Sequence, residues 1–166
     1  MSAIELMIEV IREHSPPTKW TGAPLEEFRR VDNTNRGEIG EHFLRRYLVR
    51  NGMSVSSESR TDPTDLIIEN RRFEVKTASE DVGGNFQFNH VRLDRRYDYL
   101  LCLGISPSSI WFNAWRKGEV AEERAGSLVR MAEGQSVTFK LTKRLADMRP
   151  IEALPEWVRT TLADES

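Results

Sequence analysis

The chain has 166 residues, which suffice for one domain with an apolar core and are too few for two. A net charge of −2 and a pI near 6.0 argue against a protein that coats nucleic acid by bulk electrostatics. No apolar run approaches the roughly 20 residues that cross a membrane, and charges interrupt the first 14 residues, so we expect neither membrane association nor export. The single cysteine, Cys102, forms no internal disulfide and fits a cytoplasmic location.

Residues 1–30 are predicted to form an N-terminal arm on this domain. Ser2 and Glu5 fit a capping box at the start of a helix whose apolar residues share one face. The helix ends before "SPPTKWTGAP", where proline and glycine indicate a connector around residues 15–24.

Residues 31–166 are predicted to form the main domain, a mixed α/β sheet with helices on both sides. Its predicted elements, in chain order, are a helix from about Thr34 to Arg50, a strand near Ser54 to Ser59, a hairpin at "LIIENRRFEVK", a polar loop over 79–90, a short helix around 91–96, strands at 97–105 and 109–115, a helix through about 119–133, a strand at 136–142 and a helix after Pro155.

The hairpin carries three charges in the strongest strand pattern of the chain: Asp65, Glu74 and Lys76. A two-residue turn at Asn70-Arg71 pairs Asp65 with Lys76 and puts the apolar residues on one face and the charges on the other. Asp65 and Glu74 are then diagonal neighbours, roughly 7–8 Å apart, which lets two carboxylates converge on one ion. Asp65 opposite Lys76 is equally an ordinary cross-strand ion pair, so the hairpin alone leaves both interpretations open.

Two further features favour a functional site. The run "YDYLLCLGI" is almost continuously apolar, which is typical of a strand covered on both faces, so the charged face is not simply open to water. On the Thr34 to Arg50 helix, at roughly 100° per residue, the apolar residues form one arc: Ile39, Phe43, Leu44, Tyr47 and Leu48. Glu41 lies at its edge and Glu38 points away, so we expect Glu41 to lie over the hairpin.

Glu41 on a helix, "PTD" ending at Asp65 and "EVK" at 74–76 together resemble the PD-(D/E)xK nuclease superfamily, which includes restriction endonucleases and archaeal Holliday junction resolvases. The resemblance covers about residues 34–115. A threonine separates the proline from Asp65, so Asp62-Pro63 is a competing match; we favour Asp65 because it directly precedes the apolar strand. The resemblance implies a restriction-endonuclease-like mixed sheet flanked by helices, with an N-terminal helical arm.

The function implied is that of a Mg²⁺-dependent DNA endonuclease, with Mn²⁺ as a substitute ion. Asp65, Glu74, Glu41 and the carbonyl of Val75 would hold the metal, since Mg²⁺ prefers oxygen ligands, and Lys76 would orient the attacking water. Because cutting two strands requires two sites, we expect a homodimer. The alternative is a catalytically inactive nuclease-fold module that binds nucleic acid, which the low pI and the displaced proline favour.

The segment "NFQFNHVRLDRR" follows the hairpin and is polar and basic. Such a segment often follows the lysine in restriction-enzyme-like relatives. We therefore expect its polar side chains to contact DNA phosphates or base edges: Gln87, Asn89, His90 and Arg92.

Overall fold

The computed structural model describes residues 1–57, 65–131 and 137–165. The α-helices are α1 (Ala3–His14), α2 (Asn33–Arg50), α3 (Lys117–Ala121) and α4 (Leu154–Ala163). The strands are β1 (Val55–Ser56), β2 (Leu66–Ile68), β3 (Arg71–Ser79), β4 (Asn85–Val91), β5 (Tyr99–Ile105), β6 (Ile110–Arg116), β7 (Leu128–Arg130), β8 (Phe139–Arg144) and β9 (Arg149–Pro150). The class is mixed α/β. No helix in this described part is long and apolar enough to cross a membrane.

The strands form two sheets. The larger has the order β1-β2-β3-β5-β6-β9, and the smaller has the order β4-β8-β7. Only the β3–β5 pair is parallel among the described strand pairs; the others are antiparallel. The large sheet is therefore mixed.

Each face of the large sheet has its own hydrophobic core. Leu44 and Leu48 of α2 and Val158 of α4 are buried in the first core, together with Phe73 of β3. The second core joins the other face to the small sheet and to α3, and includes Phe86, Phe88, Leu100, Cys102, Val120 and Leu141. The fully buried β5 confirms a strand covered on both faces. The prediction of helices on both sides of the sheet is only partly right, because the second sheet covers most of one face.

The two N-terminal helices form as predicted. Ser2 and Glu5 complete the capping box of α1, and Asp32 caps α2 by accepting a hydrogen bond from the Asn35 amide at 2.9 Å. The phase predicted for α2 is partly wrong, because the buried face is centred on Leu44 and Leu48. Ile39 on the other side is 43% exposed.

Three other expectations are corrected. Residues 85–91 form strand β4 where a loop was expected, because Phe86 and Phe88 alternate into the second core. Residues 91–96 contain no helix. The helix expected through 119–133 is only the short α3, and β7 follows it.

The hairpin turn lies one residue earlier than expected, so the partner of each strand residue shifts by two and Asp65 is not opposite Lys76. The turn is Glu69-Asn70, which both have positive φ (48° and 65°), and Leu66 pairs with Phe73. A turn with two positive φ angles matches the twist of the flanking strands, and asparagine tolerates that conformation. Because the pairing changes by an even number of residues, the division of faces holds: Leu66, Ile68, Phe73 and Val75 are buried in the first core.

The N-terminal arm has two different parts. No residue of α1 is buried. Trp20 and Phe28, by contrast, belong to the first core. The connector is also fixed at Lys19, whose ammonium group donates to the carboxylate of Glu80 and the carbonyl of Asp81.

Candidate active site

The site begins where β2 leaves β3. β2 pairs only with Arg71 to Phe73, whereas β3 continues to Ser79. The amide of Val75 is therefore beyond the end of β2, and it donates instead to the side-chain oxygen Oδ2 of Asp65 at 2.8 Å. The strand divergence fixes Asp65 against β3. The competing match, Asp62-Pro63, lies outside the described residues.

Glu41 of α2 meets Asp65 at this divergence. The carboxyl groups of Glu41 and Asp65 interact directly, through their charges and a side-chain hydrogen bond. Burial, followed by the negative charge of Asp65 and that hydrogen bond, raises the pKa of Glu41 to about 7. Burial also raises the pKa of Asp65, against the opposing effects of the Val75 amide and of Lys76. Like charges held together in this way disfavour ionisation of both carboxyls at once.

Close packing brings α2 over β3 at this point. A Cβ atom added to Gly40 would lie 2.0 Å from Oγ1 of Thr77, so only glycine allows this approach. Oγ1 of Thr77 is buried and has no hydrogen-bond partner among the described residues. Gly40 therefore sets the distance at which the next residue, Glu41, meets the strands.

Glu74 lies on the other face of β3 from Phe73 and is only 1% exposed. Its Oε1 accepts a hydrogen bond from Arg95 at 3.1 Å, while its Oε2 is buried without a partner in the described part of the chain. Burial raises the pKa of the Glu74 carboxyl, and the positive charges of Lys76 and Arg95 oppose that rise. The carboxylate is held by one oxygen and has the other free.

Lys76 lines an open cleft of about 540 Å³ together with Glu41, Asp65 and Val75. Glu74 is not among the residues that line it. The opposite wall comes from β4 and contains three of the expected DNA-contact residues: Gln87, Asn89 and His90. The fourth, Arg92, does not line the cleft and is paired with Asp94 at 2.5 Å.

A bulge in β4 presents part of that wall. The pairing of β4 with β8 is shifted between Phe88 and Val91, and His90 within the bulge has φ = 58°. Bulges redirect side chains and occur often next to functional sites. The His90 ring also contacts Oγ1 of Thr138 at 3.3 Å.

Two arginines that the sequence patterns did not single out also line the cleft, Arg29 and Arg36. Arg36 donates to the carbonyl of Arg29 at 2.7 Å, and its buried Nε finds no acceptor among the described residues. Burial and the charge of Arg29 lower the pKa of Arg36. The only sequence signal was their position just before and within the start of α2. Two cations held together here favour a bound anion.

In residues 1–57, 65–131 and 137–165, no group of three or more His, Cys, Asp or Glu side chains is arranged to hold a metal ion. The arrangement that comes closest to a metal site is the Glu41–Asp65 pair together with the backbone of Val75 at the cleft. They are the hard ligands that Mg²⁺ and Mn²⁺ accept.

No protein-family model matches this sequence, and no curated protein sequence matches it. Among solved structures, a bacterial homing endonuclease, I-Ssp6803I, is similar to this chain at 15% sequence identity and a TM-score of 0.49. That alignment covers 82% of this chain and 99% of the homing endonuclease.

Proposed function

We propose that this protein is a metal-dependent deoxyribonuclease that hydrolyses phosphodiester bonds within DNA. The observation that carries the proposal is the meeting of Glu41, Asp65 and Lys76 in one cleft, where burial and the charge of Asp65 raise the pKa of Glu41. Structural ion pairs do not need two acids that repel each other. A perturbed pair of carboxyls beside a lysine in a cleft is typical of a functional site.

The oxygen donors at the cleft have the chemistry of a divalent-cation site, although no three acids of the described residues are arranged around one ion. Glu41 and Asp65 already face each other, and a dication can replace the proton that relieves their repulsion. The Val75 carbonyl would add a neutral ligand. Glu74 fits this set less well, because it does not line the cleft and its Oε1 accepts from Arg95; only its Oε2, which has no partner among the described residues, would be available to an ion. Mg²⁺, with Mn²⁺ as a substitute, keeps several waters in such a site.

When bound, the metal would polarise the phosphate and lower the pKa of a bound water. The chain's own residues have separate tasks. The Val75 amide holds Asp65 in place at 2.8 Å. Lys76 puts an ammonium group in the cleft, where it can orient the attacking water or neutralise charge that develops on the phosphate.

DNA would lie along the cleft between α2 and β4. Gln87, Asn89 and His90 would contact the backbone from β4, and Arg29 and Arg36 would bind phosphates from the opposite side. Arg92 is a weaker candidate than expected because it is paired with Asp94 and lies outside the cleft. A few cations of this kind suffice locally, although the whole chain carries a net charge of −2.

A second candidate is a catalytically inactive module that binds nucleic acid through the same cleft. It is supported by the ion pair between Glu74 and Arg95 at 3.1 Å, which occupies an expected metal ligand with an internal partner. In that case the cleft residues of β4 would bind DNA, and Glu74 would serve the stability of the domain.

The test is cleavage of supercoiled plasmid, linear duplex, a four-way junction and RNA, each with Mg²⁺ and with EDTA. We expect cleavage of at least one DNA substrate with Mg²⁺ only, and none by Asp65→Asn. The matched control is Asp164→Asn at the exposed end of α4, which should cut normally. DNA binding without cleavage by the wild type would favour the inactive module. If the wild type neither bound nor cut any of these substrates, the charged residues of the cleft would have only a structural role.

A further inference from the structure

Helix α1 has an apolar face that none of the described residues of its own chain covers. All six of its large apolar side chains are at least 41% exposed: Ile4, Leu6, Met7, Ile8, Val10 and Ile11. None of its residues is buried. An isolated helix of 12 residues is marginal in water, and most helices in proteins are stabilised by packing one face. The helix therefore lacks its packing partner.

A groove of suitable size lies on the outer side of α2. It has a volume of about 720 Å³, and its apolar lining comes from Ile39, Phe43 and Tyr47. Ile39 is 43% exposed, although its neighbours on the inner face of α2 are fully buried. At 1.5 Å per residue, α1 is about 18 Å long and α2 about 27 Å, so α2 can accommodate the whole of α1.

The charges of the helix and the groove are complementary. The acids of α1 recur every four residues: Glu5, Glu9 and Glu13. The basic residues that line the groove have the same spacing: His42, Arg46 and Arg50. In an antiparallel arrangement each acid faces a base, and the two helix dipoles also oppose each other favourably. Glu38, the acid that lines the groove, then lies one turn beyond the end of α1.

We propose that two copies of this chain exchange their N-terminal helices, with α1 of each copy lying antiparallel in the α2 groove of the other. Residues Pro16 and Pro17 stiffen the connector between α1 and the fixed Lys19 and Trp20, which favours an arm that extends away from its own domain. A twofold axis makes the contact twice, as in closed dimers generally. The proposal does not depend on nuclease activity.

The test uses two charge reversals, Glu9→Arg in α1 and Arg46→Glu in the groove, with mass measured by sedimentation equilibrium. The wild type should have twice the chain mass of 19.2 kDa. Each reversal alone puts like charges together at both contacts, so its dimer dissociation constant should rise on the order of 100-fold. Arg130→Glu on β7, an equally exposed arginine away from both surfaces, is the control and should dimerise normally.

Mixing the two variants distinguishes exchange from every other arrangement. In the mixed dimer, the new arginine of one chain meets the new glutamate of the other, and the second contact is unchanged from the wild type. A 1:1 mixture should therefore regain the dimer that neither variant forms alone. A monomeric wild type at about 100 μM, a reversal that leaves the dimer intact, or a mixture that stays monomeric would each overturn the proposal. The first of these results is what α1 docking in its own groove would give.

Discussion

If Mg²⁺ binds between Glu41 and Asp65, its binding should release a proton. Burial and the negative charge of Asp65 raise the pKa of Glu41 to about 7. A divalent ion between the two carboxyls favours their charged forms and displaces that proton. The perturbation to test is therefore a Mg²⁺ titration at several pH values, with proton release as the measured quantity.

The magnitude follows from the pKa. With a value of about 7 for Glu41, the carboxyl holds about 0.9 proton at pH 6, about 0.5 at pH 7 and about 0.1 at pH 8. The number released on binding should fall in the same order, and the affinity for Mg²⁺ should rise between pH 6 and pH 8. Calorimetry in two buffers with different enthalpies of protonation gives the number of protons directly.

The variant Glu41→Gln separates this explanation from others. It removes the titrating carboxyl and keeps its size, so the pH-dependent proton release should disappear and the affinity should fall. Glu38→Gln is the comparison one turn earlier on the same helix, in the outer groove; it removes one of the weaker charges that raise the pKa of Glu41, so its release should fall only slightly and should keep its pH dependence. Release that is constant from pH 6 to pH 8, or that persists in Glu41→Gln, would refute this explanation.

Two other predictions concern Lys76 of β3 and Gly40 of α2. Lys76→Ala should slow single-turnover cleavage by roughly 10²–10⁴-fold, while calorimetry shows Mg²⁺ still binding; unimpaired cleavage would mean that Lys76 is only structural. Gly40→Ala should destabilise the fold by about 1–3 kcal/mol in denaturant unfolding, because its Cβ would lie 2.0 Å from Oγ1 of Thr77. Gly37→Ala, whose Cβ meets nothing within 4 Å, should be neutral or stabilising, and equal losses in both variants would contradict the packing argument.

Local signals predicted the elements that local interactions determine. Caps specify where α1 and α2 begin, since the side chains of Ser2 and Asp32 accept hydrogen bonds from the amides of Glu5 and Asn35. The unbroken apolar run of β5 follows from cover on both faces. The faces of the hairpin were also predictable although its register was not, because a shift by two residues preserves the alternation of side chains.

The second sheet could not be read from local patterns. β4 pairs with β8 across about 50 residues of chain, with Gln87 opposite Thr142, and nothing near Gln87 indicates that partner. The alternation of Phe86 and Phe88 was a usable strand signal that the polar residues between and around them obscured. The same pairing puts Gln87 and Asn89 on the cleft wall, so the position of the expected DNA contacts depends on a long-range interaction.

The ion pair of Glu74 with Arg95 could not be predicted from the sequence, since Arg95 lies in a loop whose path no sequence pattern indicates. The ion pair does not by itself argue against catalysis, because Arg95 engages Oε1 and leaves Oε2 buried without a partner in the described residues. A buried acceptor without a partner costs about 1–3 kcal/mol. If Glu74 were purely structural, nothing would offset that cost, and a well-packed apolar residue at this position would make the fold more stable. The proposed role as a metal ligand would account for both oxygens: Arg95 would orient the carboxylate through one, and the other would be left available for a cation.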